Sequence, residues 1–289
     1  MAAAVALAGQ GRFPVRAIAA AMSVSRSGLK TARGRPMTAN SRRSAQPDEP
    51  LLGRIRAVVA ERPSYGYRFV TAWLNKGATA EERVNHKRVY RVMRGANLLL
   101  ARHTGRPARP HEGKVATLKS DLRWCSDAFE IRCWNGERVY VVFALDCSDR
   151  EVIGFRAATA HPTGETIRDL MAVSIEARFG PGAVEVPHRV EWLSDNGPPF
   201  VAQATRNFGA MAGLVVVNTP AYSPESNGMA EAFVKTFKRD YVYLNRLPDA
   251  ATVLANLPAW MDDYNEVRPH SRLGMLSPRA WRRNRRAAA

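Results

Sequence analysis

Cysteine is scarce in this 289-residue chain. Cys125, Cys133 and Cys147 are an odd number with no Cys-x-x-Cys pair, which argues against a disulfide framework and against a cysteine-based zinc site. They are expected as reduced core residues. The six histidines are scattered, none at metal-finger spacing from another or from a cysteine pair, so no structural zinc is expected. No run of about 18 uninterrupted apolar residues occurs, which excludes a membrane-spanning helix. The opening MAAAVALA is apolar but has no basic residues before it and is too short for a secretory core, so a cytoplasmic protein is expected. A hydrophobic content of 46% excludes disorder as the main state. At roughly 150 residues per domain, the length suggests about two domains.

Acidic residues are also scarce, but only in the first part of the chain. Residues 1–115 carry 22 Lys+Arg against 6 Asp+Glu, whereas residues 116–289 carry 21 against 20, so nearly all of the +17 net charge is N-terminal. A cationic block of this kind binds polyanions by releasing their condensed counterions, which makes nucleic acid the expected partner; a solvated, solubilising surface is the alternative.

Hydrophobic spacing divides the chain further. In RFPVRAIAAAMSVSRSGLK, Val15, Ile18, Ala19 and Met22 recur at helical spacing, and Ser23-Val24-Ser25 breaks the run before a second short segment ending at Leu29, the outline of a helix-turn-helix over residues 1–35. Residues 36–50 read as linker. Residues 51–101 predict three helices, LLGRIRAVVAER, YRFVTAWLNK and HKRVYRVMRGANLL. In the third, Lys87, Arg91 and Arg94 form a cationic stripe, with Arg88 beside it, opposite Val89, Val92, Met93 and Ala96. These four cations are candidate DNA contacts. Residues 102–117, rich in Pro and Gly without periodicity, read as a second linker.

Beyond it the pattern turns to strands. RWCSDAFEIRC, ERVYVVFALDC and REVIGFRAAT are joined by short polar turns and predict an antiparallel meander. The helix GETIRDLMAVSIEARF, the strand RVEWLS, the helix VAQATRNFGAMA, the strand LVVVN and a long helix beginning near Pro224 follow. The expected class is therefore α/β: a ribonuclease-H-like mixed-sheet core over residues 118–245, preceded by all-α helix-turn-helix segments. Residues 246–289 form a helical extension with a basic tail.

Three acids stand out. Asp127 shares its side of a strand with Cys125, Phe129, Ile131 and Cys133, and an ionised acid among apolar residues calls for a cation or for several hydrogen-bond donors. Asp195 ends a buried strand, where ligands of mixed sheets collect, although Asp-Asn-Gly is also an ordinary turn. Glu231 is followed by Lys235 and Lys238 at i+4 and i+7 on one helical face, which is equally the pattern of a solvated ion pair. Asp127 precedes Asp195 by 68 positions, and 35 residues separate Asp195 from Glu231.

The text around these acids reads Trp124-Cys125-Ser126-Asp127, Leu145-Asp146, Trp192-Leu193-Ser194-Asp195-Asn196-Gly197 and Ser223-Pro224-Glu225-Ser226-Asn227-Gly228-Met229-Ala230-Glu231. Tyr264-Asn265, Arg268-Pro269-His270, Leu273-Gly274 and Ser277-Pro278 come later. In these motifs the chain resembles bacterial insertion-sequence transposases of the OrfB type, whose catalytic core is similar to that of retroviral integrases. The retroviral His/Cys zinc domain is absent, and the helical segments stand in its place.

The resemblance implies that Asp127, Asp195 and Glu231 are catalytic and hold two divalent cations, Mg²⁺ or Mn²⁺, and that Lys238, with Lys235 on the same face, contacts transposon-end DNA. It further implies metal-dependent strand cleavage and 3′-OH strand transfer on double-stranded DNA, both transposon ends and target, by a homodimer or higher homo-oligomer. The expected location is bacterial cytoplasm, on the nucleoid when DNA is bound. A non-catalytic DNA-binding repressor derived from a transposase is the alternative, and loss of one of the acids would favour it.

Overall fold

The computed structural model describes residues 13–26, 48–101, 117–219 and 227–287. The chain forms two compact units, residues 1–51 and 52–289. In the first, helix α1 (Val15–Ala21) buries Ile18 and Ala19, with Val15 and Val24 against them. The second helix expected there, ending at Leu29, lies outside the described residues.

Helix α2 (Asp48–Glu61) crosses the boundary between the units and begins three residues inside the stretch expected as linker. Asp48 and Glu49 favour that start, because negative charge complements the amide groups of a first helical turn. Helices α3 (Tyr67–Leu74) and α4 (His86–Gly95) complete the helical part. Ile55, Val58, Tyr65, Val70, Leu74, Val89, Val92 and Met93 are among its buried side chains. The α3–α4 connection is closed by Asn75, whose side chain accepts from the Val84 amide at 2.8 Å and donates to the Val84 carbonyl at 2.9 Å. On α4 the Asn85 side chain caps the Lys87 amide, and Lys87, Arg91 and Arg94 are exposed while Arg88 is half-buried.

The core is one five-stranded sheet in the order β3-β2-β1-β4-β5, made of β1 (Arg123–Arg132), β2 (Arg138–Asp146), β3 (Val152–Ala158), β4 (Val190–Ser194) and β5 (Leu214–Asn218). The first three strands form the expected antiparallel meander; β4 joins β1 in parallel and β5 joins β4 in parallel. This is the ribonuclease-H-like arrangement.

Each face of the sheet carries its own core. Helix α5 (Gly164–Phe179), started by a Thr163 capping box, buries Ile167, Leu170, Met171 and Ile175 against Trp124, Val142, Ala144 and Trp192. On the other face α8 (Gly228–Asp240) and α9 (Ala250–Glu266) cover Cys125, Phe129, Ile131, Val141 and Phe143. All three cysteines are buried and free. The helix expected over 201–212 is split into α6 (Pro198–Val201) and α7 (Gln203–Met211) by Ala202, whose extended backbone (φ −54°, ψ 136°) interrupts the turn. A final helix, α10 (Pro278–Ala287), carries the basic tail. Among the described residues no helix is long and apolar enough to cross a membrane.

Candidate active site

Strand alternation puts Asp127 on the α8 side of the sheet, in line with buried Cys125 and Phe129. Its carboxylate is half-buried and accepts one hydrogen bond, from the Ala128 amide at 2.7 Å. The parallel register pairs Cys125 with Leu193, two positions before Asp127 and Asp195 respectively, so both acids follow the same end of the paired β1–β4 ladder.

Asp195 leaves β4 in a turn that its own side chain makes, Oδ1 accepting from the Gly197 amide at 3.0 Å. A Cβ on Gly197 would stand 3.1 Å from that oxygen and 3.3 Å from the Phe200 ring, so the bare glycine leaves the carboxylate its place. The turn is held to β5 by two amides. Asn218 donates to the Asp195 carbonyl at 2.9 Å and to Ser194 Oγ at 3.2 Å, and Asn196 donates to the Thr219 carbonyl at 2.9 Å.

Glu231 comes from the first turn of α8. That helix is clamped to the sheet by aromatic contacts: Phe233 lies 4.4 Å from Phe143 between ring centroids, and Phe237 lies 5.7 Å from Phe129. The described helix runs from Gly228; Ser223, Pro224 and Glu225, where its start was expected, lie outside the described residues. The side chain of buried Asn227 donates to the carbonyl of Ser126, the residue before Asp127, at 3.4 Å, which ties the start of α8 to β1. Asn218 and Asn227 were not singled out as site residues from the sequence. Asn227 stood in plain view within the Ser-Asn-Gly motif, which gives no sign of a contact with β1.

Electrostatics bring the three acids together. Burial pushes the Asp127 carboxyl up to about 6, one backbone hydrogen bond opposes the shift, and the charges of Asp195 and Glu231 add to it. None of the three makes an ion pair with a described residue, and among the described residues no three acid, histidine or cysteine side chains converge tightly enough to clasp one ion. The acids are neighbours with oxygen donors only, open toward solvent at exposed Glu231. Lys238, a half-buried residue in the last turn of α8, holds its ammonium 5.7 Å from the Phe129 ring, beside the acid-bearing strand. Lys235 is exposed on the same flank of the helix.

Asp146, the other acid of the strand region, has a different occupation. Its oxygens accept from the amides of Asp121, Ser148 and Asp149 at 2.7–2.9 Å, capping the turn at the end of β2. Burial and the neighbouring Asp149 push it up to about 7.

Known proteins share these parts. Residues 46–106 match an HTH-like domain, and residues 118–224 and 212–278 match two models each described as an integrase core domain. The transposase InsD for insertion element IS2A/D/F/H/I/K of Escherichia coli is 47% identical over 251 residues, covering 85% of this chain and 83% of that protein. Among solved structures, the catalytic core domain of BIV integrase is 19% identical with a TM-score of 0.40, over 58% of this chain and 98% of that one. The Mos1 transposase catalytic domain in its structure with raltegravir and Mg is 21% identical with a TM-score of 0.40, over 49% of this chain and 71% of that one.

Proposed function

This chain belongs to the insertion-element transposases with an integrase-type core, and on that premise we propose that Asp127, Asp195 and Glu231 are the acids with which it cuts and joins DNA. One observation carries the assignment: the β1–β4 register and the aromatic clamp on α8 bring three carboxylates from separate elements into one electrostatic neighbourhood, with no described cation among them.

The donor set fits a hard divalent cation, Mg²⁺ or Mn²⁺, because all its atoms are carboxylate oxygens and Asp127 holds a charge that burial and two like charges disfavour. Two such ions, when bound, lower the pKa of an attacking water or 3′-hydroxyl and stabilise the leaving oxygen. The protein's own residues do the positioning. Gly197 and Asn218 aim Asp195, Asn227 holds the start of α8 against β1, and Lys238 offers a cation to a DNA phosphate beside the acids. The exposed Lys87, Arg91 and Arg94 of α4, with Arg88 beside them, grip the terminal repeat through phosphates. Two ends must be held at once, so the active species contains at least two copies of the chain.

The test is a duplex carrying one labelled element end, incubated with the full chain and Mg²⁺. A specific nick that Asp195→Asn and Glu231→Gln both abolish, while end binding persists, is the expected result. A nick retained by either variant overturns the triad.

A further inference from the structure

Among the charged side chains that the site does not use is a group at the opposite end of α8 from Glu231. Arg62, just past α2, donates to both carboxylate oxygens of Asp263 on α9 at 2.7 Å each. The same Asp263 accepts from the Tyr241 hydroxyl at 2.8 Å, and Tyr241 directly follows α8. Both partners of the ion pair are well shielded, with side-chain exposures of 20% and 21%. Next to it, Arg268 of the Arg-Pro-His motif donates to Asp240, the last residue of α8, at 2.7 Å, and sets its guanidinium 5.3 Å from the ring of Phe69 on α3. Arg239 grips the same Asp240 at 2.6 and 2.8 Å. The helical part and the catalytic core therefore meet around the end of α8 and on α9, through Arg62 on Asp263 and Phe69 on Arg268.

Other contacts between them are few. None of α2, α3 or α4 packs broadly on a core element, and a cleft of about 430 Å³ lined by Arg62, Tyr65, Tyr241 and Asp263 runs beside the junction. With little helix-on-core packing here, the directional pairs bear on their mutual orientation. A forked guanidinium on a carboxylate is well suited to this, because two parallel hydrogen bonds fix an angle as well as a distance. From Glu231 to Asp240, α8 is a rod of about 14 Å at 1.5 Å per residue.

We propose that the Arg62–Asp263–Tyr241 and Phe69–Arg268–Asp240 contacts position the cut: they hold the DNA-gripping helices at a set distance and angle from the acids, α8 transmitting that placement to Glu231. The proposal rests on the assignments of the acids and of the gripping helix made above. In it Arg62 and Arg268 are positioning residues and touch no reacting atom.

The experiment compares the full wild-type chain with Arg62→Asp, Asp263→Arg and the double swap Arg62→Asp/Asp263→Arg, on a labelled end duplex with Mg²⁺, reading end affinity, nicking rate and the phosphate at which the nick falls. Tyr241→Phe, which removes a single hydroxyl, is the mild variant that keeps the test open where a reversal does not fold. Each single reversal is expected to hold end affinity within about 3-fold, to slow nicking by at least about 10-fold, and to spread the cut over neighbouring phosphates, with Tyr241→Phe shifting the same way by less. The double swap is expected to regain the single cut position, which a merely structural role would not predict. Wild-type rate and cut position in the single reversals or in Tyr241→Phe, loss of end affinity in step with nicking, or a double swap as scattered as the single variants would each overturn the proposal. Glu231→Gln, assayed alongside, separates the two readings: if it still nicks, the acid assignment fails while the cut-position comparison continues to read the junction.

Discussion

Replacing Asp127 with Asn should stabilise the metal-free protein while abolishing its chemistry. In the fold the carboxyl titrates near 6 instead of 3.8, first because it is buried and then because Asp195 and Glu231 repel its charge. At full effect that gap corresponds to about 3 kcal/mol, and solvent screening of a half-buried group reduces it to about 1–2 kcal/mol. The sign follows from linkage. An acid whose pKa is raised by folding imposes no penalty below about pH 4, a growing one between about pH 4 and 6, and the whole of it above pH 6. Asparagine keeps the shape and an oxygen for the Ala128 amide but carries no charge to penalise. In the presence of a chelator at pH 7.5, Asp127→Asn should therefore melt about 2–8 °C above wild type, taking about 2–4 °C per kcal/mol for a unit of this size. The two should melt together at pH 4. Adding Mg²⁺ should raise the wild-type midpoint and leave the variant's unchanged. Thermal scans at the two pH values decide it: a variant less stable than wild type at pH 7.5, or a gain that persists at pH 4, would refute the electrostatic reading of the site.

Gly197→Ala should lower nicking about 10-fold with little change in melting, since its Cβ would crowd Asp195 Oδ1 from 3.1 Å. Lys238→Ala should weaken engagement of the DNA end and leave the metal requirement as it is, which a titration of nicking against Mg²⁺ at several DNA concentrations reads directly. Binding of the terminal repeat by residues 1 to about 115 should fall steeply between about 50 and 200 mM salt, and a flat response would remove the phosphate-gripping role of that charge. Glu225→Gln, at a position outside the described residues, should cost far less activity than Glu231→Gln; the reverse order would move the third acid.

Much of this architecture could be read from local pattern. The side of β1 that carries Asp127 followed from alternation, because Cys125, Phe129 and Ile131 had to face one core. The cationic stripe of α4 followed from helical spacing, since Val89, Val92 and Met93 had to face the other way. What escaped lies in contacts between distant residues. Arg62 and Asp263 are 201 positions apart, and nothing near either of them in sequence says that they meet. Asn265 likewise pairs both the amide and the carbonyl of Val152 at 2.9 Å, taking the place of a neighbouring strand at the sheet edge, although its motif was visible only as Tyr-Asn. The break at Ala202 escaped for a smaller reason: the apolar period runs on across it, and periodicity reports faces rather than single backbone torsions.

The core holds a second acidic group, and it shows how this fold neutralises carboxylates when it uses its own side chains. Arg178 of α5, with 1% of its side chain exposed, lies within 3.0–3.8 Å of Asp121, Asp146, Asp149 and Glu151. Arg279 and Arg282 of α10 close on Glu151 from outside at 2.8 and 2.6 Å. Here every acid has a cation supplied by the chain, and Glu151 is held below the usual carboxylate range by its arginines although burial opposes it. Cutting that centre out with Arg178→Met should cost about 3–5 kcal/mol, because it leaves several buried charges facing one another. The deficit should shrink as the pH is lowered toward 5 and Asp146, whose carboxyl burial pushes up, takes up a proton, and a loss that does not vary with pH would mean that Arg178 contributes packing rather than charge. At Asp127, Asp195 and Glu231 the same chain presents acids with no such partner among its described residues. An arginine there would satisfy the carboxylates permanently, as Arg178 does, and would occupy the oxygens that an exchangeable divalent cation and a DNA phosphate need.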